Sequence, residues 1–412
     1  MQRTRFTTIS IFTILGVFVV LSLSIIRAGE EYAEAKRLAE AAKKDLHDFN
    51  NYDPTFGYFH GTRSNSKNTW KYFEEESKTR LDDWQRAAEA GIPEGQVLLG
   101  IYYLRSTRNF GASEPTREEG EKIVKASLEL FHKAAEQDNA DGQYWYGNWC
   151  HYVNDDKIKW YRKAAEQGHV RAQYELAQAF RDASYKNDAE RREGWEESAK
   201  WYLKAAEQGH AESQWITGMN YRVATMNFPY DEEESAKWYR KAAEQGVSPA
   251  MSSLGICYLE GDGVPQDAKK AVEWFYKAVE IEQLGAEQGN SRAMHYLGEC
   301  YLVGNGVDQN AEKAVEWFRK STAQAHPFPG AWYKLGWCYA TGTGVPQDKE
   351  EAMKWLREAE EKFPFRRKYS NETVALLKKL EAGVEIKGKD DESPSSFWRW
   401  LFGETQGTGV RR

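Results

Sequence analysis

From about Trp84 to Lys362, apolar and polar positions recur in two helical patterns that take turns along the chain. One is a run of strong helix formers built on a tryptophan, most complete in Ser235-Ala-Lys-Trp-Tyr-Arg-Lys-Ala-Ala-Glu-Gln-Gly246. It returns at 159–168 and 198–209, and more loosely at 130–137, 273–278, 316–320 and 354–358. Trp160, Trp201, Trp238, Trp274, Trp317 and Trp355 are separated by 41, 37, 36, 43 and 38 residues. A period of this size specifies a stacked helical array. The Trp column recurs at the same point of every unit because the stack needs filling there. The closing glycine is the residue that ends a helix in the left-handed conformation.

The other pattern lies upstream of each copy: a small residue, four variable or apolar positions, Gly or Ala, then an aromatic three further on. Ala172…Ala177…Phe180, Ser213…Gly218…Tyr221, Ala250…Gly255…Tyr258, Ala293…Gly298…Tyr301 and Ala331…Gly336…Tyr339 obey it. Gly95…Gly100…Tyr103 and Gly142…Gly147…Cys150 fit at the front. Recurrent glycine within a helix costs stability, so it points to close helix approach. The spacing predicts helix-turn-helix units beginning near Pro93, Asn139, Val170, Ala211, Ser248, Ser291 and Pro329. Thr116…Glu119, Asp231…Glu234 and Asp348…Glu351 have capping-box spacing.

In the last three units the turn is explicit: Gly261-Asp-Gly-Val-Pro-Gln-Asp267, Gly304-Asn-Gly-Val-Asp-Gln-Asn310 and Gly342-Thr-Gly-Val-Pro-Gln-Asp348. With Leu-Gly-x-Cys-Tyr at Leu254 and Lys-Ala-Ala-Glu-Gln-Gly, the chain resembles the Sel-one-like repeat (SLR) family, a relative of the tetratricopeptide repeat. The turn is missing near Lys157 and replaced at 105–115, 185–194 and 226–230. The resemblance implies an all-α fold, a right-handed superhelical α-solenoid of about seven units, and adaptor work by protein binding.

The flanks differ in character. Residues 1–5 carry Arg3 and Arg5, and Phe6 to Ile26 is a 21-residue run without a charge. As a helix it would span about 31 Å, enough for a hydrocarbon core of about 30 Å. The expectation is a single transmembrane anchor with a cytosolic N-terminus and a periplasmic or lumenal repeat domain; a cleaved signal peptide, leaving a secreted protein, is the rival. Residues 27–69 read as a polar helix and a linker, 70–382 as the solenoid with a capping helix at each end, and 383–412 as a tail holding the aromatic run Phe397–Phe402.

Charged residues at 29% and a net charge of −7 describe an acidic, well-hydrated surface without a basic stripe, which excludes nucleic acid as a partner. Cys257, Cys300 and Cys338 occupy one equivalent position in successive units, too far apart for disulfides, and with Cys150 read as small buried residues. No zinc-protease His pair, nucleophile elbow or phosphate loop is present. No catalysis, cofactor or metal is expected.

On the first helices, the positions two, six and nine after the small residue share a face. They vary between units: Tyr144, Tyr174, Trp215, His295 and Tyr333 at the first, Gln178, Met219 and Trp337 at the second, Arg181 and Arg222 at the third. In solenoids of this kind the first helices line the concave groove, so this face is the candidate partner-binding surface. Aromatic side chains and arginine dominate binding energies. The expected function is an anchored scaffold that binds another protein. Alternatives are an extracytoplasmic immunity protein neutralising a secreted lipase-type effector, and a carbohydrate- or cell-wall-binding protein whose groove aromatics stack on sugar rings.

Overall fold

The computed structural model describes residues 31, 33–48, 80–106, 117–150, 156–225, 228–283, 290–362, 367–384 and 386. Phe6–Ile26, the expected linker at 50–68, residues 284–289 and the Phe397–Phe402 run lie outside them. Among the described residues there are seventeen helices and no strand. Two precede the repeats, α1 (33–48) and α2 (80–89). The others are α3 (Pro93–Ser106), α4 (Arg117–Glu136), α5 (Ala140–Trp149), α6 (Lys157–Glu166), α7 (Val170–Asp182), α8 (Asp188–Glu207), α9 (Ala211–Val223), α10 (Glu232–Glu244), α11 (Ser248–Glu260), α12 (Ala268–Gln283), α13 (Ser291–Val303), α14 (Ala311–Thr322), α15 (Pro329–Thr341), α16 (Lys349–Lys362) and α17 (Arg367–Glu381). None of the described helices is long and apolar enough to cross a membrane. The described residues form an all-helical solenoid, and they divide into two compact units meeting in sequence at His210 and Ala211.

In the first unit α1 is not merely a polar leader. Asp45 accepts hydrogen bonds from Trp84 Nε1 at 3.0 Å and Arg80 at 2.5 Å, and Leu38, Ala42, Leu46, Trp84 and Ala87 are buried. The two helices thus add a pair ahead of α3–α4, where the sequence reading placed a polar helix and a capping helix.

Each later pair, α3–α4 through α15–α16, joins a first helix to a tryptophan-bearing second helix, or to its degenerate counterpart Leu130-Phe-His in α4. Trp160, Trp201 and Trp238 are buried; Trp274, Trp317 and Trp355 are partly so. A lysine one turn later lies over the ring: Lys163, Lys204, Lys241, Lys277 and Lys320 stand 4.7, 3.9, 4.0, 4.4 and 4.3 Å from their tryptophan centroids. Such a cation over an indole face contributes about 0.5–1 kcal/mol at an exposed edge. The aromatic after the tryptophan fills the centre of the pair. Phe275 and Phe318 press so closely on Gly255 and Gly298 that a Cβ there would sit 2.5 Å from the ring.

A thread of buried glutamines recurs once in each of the pairs α3–α4, α5–α6, α7–α8 and α9–α10. Gln96, Gln143, Gln173 and Gln214 follow the small residue of their helices and are all buried. Each accepts from the glutamine that ends its own second helix: Gln137 at 3.1 Å, Gln167 at 2.9 Å, Gln208 at 2.8 Å and Gln245 at 2.7 Å. Gln173 Nε2 also donates to the Ala165 carbonyl at 3.2 Å, one of the last carbonyls of α6, which accepts the Gly168 amide at 3.0 Å as well. The Glu-Gln-Gly ending is therefore a packing device as well as a stop signal.

In the second unit the explicit turns do two jobs. Gly261, Gly304 and Gly342 adopt φ of 84°, 75° and 72° and donate to the carbonyls of Cys257, Cys300 and Cys338. The second turn glycine lies against the preceding second helix: a Cβ on Gly263, Gly306 or Gly344 would overlap the first-turn carbonyls of Glu232, Ala268 or Ala311. The turn glutamines Gln266, Gln309 and Gln347 close the arrangement by donating to Leu259, Leu302 and Ala340.

Candidate protein-binding face of the first helices

The residues chosen from the sequence separate into three groups. Tyr174, Gln178 and Arg181 of α7 stay at least partly open on one face. Tyr174 packs tilted against His210 with centroids 4.5 Å apart and meets Tyr202 edge-on at 5.8 Å, and its hydroxyl accepts a hydrogen bond from Gln178. Arg181 is exposed, holds Asp182 at 3.1 Å and lies 5.9 Å above the Tyr202 ring. In the second unit Trp215, Met219 and Trp337 are likewise partly open, each resting on buried apolar neighbours.

A second group lies inside. His295 is 1%, Tyr144 5% and Tyr333 7% exposed, so none presents a ring to a partner. The reason is visible at Tyr144, which stacks on His169 at 4.6 Å, and at His295, whose ring lies 4.8 Å from Phe328. His169 caps the N-terminus of α7 by accepting from the Ala172 amide, and Phe328 is the residue that opens α15. The residue opening one first helix covers the second-position side chain of the helix before it. Shared helical face therefore did not mean shared exposure.

Arg222 makes a third case. Its guanidinium is 2.9 Å from Glu260 at the end of α11, 2.9 Å from Asp262 in the following turn, and 3.8 Å from Cys257 Sγ. It is a clamp between successive pairs rather than a free hand for a ligand carboxylate. Burial lowers its proton affinity, but the two carboxylates outweigh burial and the net displacement is upward. Burial, then the hydrogen bond with Asp262, pushes Glu260 up to about 8 against the pull of Arg222. In the first unit burial, helped by the Arg171 charge, lowers His210 to about 4. Burial pushes the Cys257, Cys300 and Cys338 thiols up to about 12, leaving them unreactive.

Sequence reasoning missed the acidic partners of Arg222 and a buried ionic group of His295, Glu299 and Lys334. The one signal for it in the sequence is that Glu299 is a charge at the sixth position, where other units carry Ile101, Ile256 or Trp337. Among the described residues no cluster of three or more His, Cys, Asp or Glu could hold a metal ion.

Helix pairs of this kind, stacked through small residues and closed by glycine turns, define a tetratricopeptide-like α-solenoid. The chain belongs to the Sel1 repeat family, whose model matches residues 124–139, 158–169, 170–210, 211–247, 248–280, 291–326 and 331–362, half of the sequence. Among solved structures, a Sel1 repeat protein from Oxalobacter formigenes is 25% identical, covering 65% of this chain and 99% of that one, with a TM-score of 0.51. The protein c5321, described as a protective antigen of uropathogenic Escherichia coli with an SLR fold, is 21% identical over 95% of this chain and 99% of its own, with a TM-score of 0.43. The immunity protein Pa5087 of Pseudomonas aeruginosa is 19% identical over 60% and 84% of the respective chains, with a TM-score of 0.30. No curated protein matches the chain in sequence.

Proposed function

We propose that this chain is a membrane-anchored scaffold that binds a partner protein through the first-helix face and performs no chemistry of its own. The observation that carries the reading is the α7 face, where Tyr174, Gln178 and Arg181 join an aromatic ring, an amide and an exposed guanidinium. Aromatic rings held by neighbours lose little freedom on binding, which favours them as anchors. Trp215 and Met219 on α9, and Trp337 on α15, supply apolar contacts of the same kind. Phe6–Ile26 serves as the anchor, with the repeats on the far side of the membrane. Neutralising a secreted effector is a narrower form of the same activity, and the partner's identity decides it.

The test is affinity capture from detergent-solubilised membranes with the tagged full-length chain, beside a bait carrying Tyr174→Ala, Trp215→Ala and Trp337→Ala. One protein captured near stoichiometry and lost with the triple variant supports the reading. Equal capture by both baits moves the site off this face. Absence of a protein partner, with retention on cell-wall polysaccharide, replaces it with the carbohydrate reading. Extraction of the intact chain by alkaline carbonate refutes the anchor.

A further inference from the structure

The sixth repeat pair, α13–α14, differs from its neighbours at one interior place. On α13, His295 and Glu299 stand one turn apart and are 1% and 0% exposed, and Lys334 of α15, 3% exposed, reaches them. The ammonium lies 3.7 Å and the imidazole Nε2 3.5 Å from Glu299 Oε1. Equivalent positions carry Ser252 and Ile256 on α11, and Tyr333 and Trp337 on α15, so the stack has no general need of charge here. The walls are aromatic: the rings of Tyr296, Phe318 and Phe328 lie 5.3, 5.8 and 4.8 Å from the imidazole centroid. Beside these three groups stand the titratable side chains of Tyr296, Cys300 and Cys338. Burial pushes each of these up to about 12, so they stay neutral between about pH 5 and about pH 8. Arg292 of α13 and Glu260 of α11 act on Tyr296 with opposite signs.

We propose that this cluster is an acid-sensitive joint, which releases α15 from α13 when His295 takes up a proton. Buried charges are tolerated when they cancel, because an uncompensated one loses its hydration without return. The arrangement that cancels is one ammonium, one carboxylate and a neutral imidazole. A proton on His295 places two cations beside one carboxylate, inside a ring of aromatic side chains. Opening the joint returns the imidazole to water, where its ordinary value is about 6.5. Below that value the open joint binds one proton more than the closed joint. Closure is therefore complete above about pH 6.5 and weakens as the pH falls, on the order of tenfold per pH unit. The helix loosened is α15, which carries Trp337 and leads into α16 and α17.

Hydrogen exchange read by mass spectrometry on the full-length chain in detergent tests this between about pH 7.5 and about pH 5.5. After correction for intrinsic exchange, amides of α13 and α15 are expected to open on the order of tenfold more per pH unit on acidification. His295→Gln and His295→Ser, the latter placing the Ser252 residue type at this position, keep the lysine–glutamate pair and should each flatten the response. A wild-type chain without the α13–α15 response overturns the proposal, and so does a response that survives in either folded variant.

Discussion

Replacing Gln173 with methionine tests whether the glutamine thread holds the repeats together or merely occupies space. The chain itself offers the comparison, since the same position carries Met251, Met294 and Trp332 on α11, α13 and α15. Gln173→Met removes the 3.2 Å bond to the Ala165 carbonyl and the 2.8 Å bond accepted from Gln208. Each bond contributes about 1 kcal/mol net, and the Ala165 carbonyl keeps its bond from the Gly168 amide. Burying the methionine side chain returns about 1 kcal/mol. The net expectation is a loss of about 1 kcal/mol. Gln208→Ala should cost about 1 kcal/mol, because the Ala165 bond survives. In a double-mutant cycle the two changes should then couple by about 1 kcal/mol. A stack can unfold in sections, so hydrogen exchange of α7 and α8 amides is the suitable assay, with a urea melt as a global check. A Gln173→Met chain as stable as the wild type, or a coupling indistinguishable from zero, would refute the reasoning.

Three further expectations follow from the packing and the ionisable groups. Gly255→Ala should cost about 1–3 kcal/mol through overlap with Phe275, and Phe275→Leu should recover part of the loss, since Leu356 already fills that place opposite Gly336; urea midpoints decide it. Glu260, held near 8 in the folded chain against 4.5 unfolded, keeps its proton longer when folded, so its contribution is whole below about pH 4.5 and declines as the pH rises towards 8. Glu260→Gln should therefore gain on the wild type in urea midpoints measured from acid to alkaline pH. His210, lowered to about 4 against 6.5 unfolded, has the opposite sign: its contribution is whole above 6.5 and falls as the pH drops towards 4. Its imidazole should titrate near 4 by NMR, and a value near 6.5 would contradict the packing against Tyr174.

The pairing of helices was legible because it rests on local rules: tryptophan spacing, glycine stops and caps. Asp231 accepts from the Glu234 amide at 2.9 Å and Asp348 from the Glu351 amide at 3.0 Å, the capping bonds their spacing announced. The candidate face was only half legible. A periodicity of three and four tells which side chains share a side of a helix, and Tyr174, Gln178 and Arg181 do share one. It says nothing of what the next unit lays over them. His169 and Phe328 lie outside the helices they cover, so no pattern within α5 or α13 betrayed them. Arg222 looked available for the same reason, its acidic partners being 38 and 40 residues away. The glutamines were visible as repeats, but their bonds run between helices.

The contact of Gly263, Gly306 and Gly344 with the backbone of the preceding second helix has a historical consequence. Spacing between neighbours is set there by main chain against main chain, whatever side chains surround it. A segment cut at two such turns carries the same joint at both ends, like a link with matching clasps. Copying or losing one link would lengthen or shorten the chain without disturbing the fit of those that remain. The near-identity of these turns, set against the sequences after α3, α7 and α9 that lack the motif, is what such copying leaves in a sequence. The C-terminal half is thus where gene duplication could extend this protein most freely.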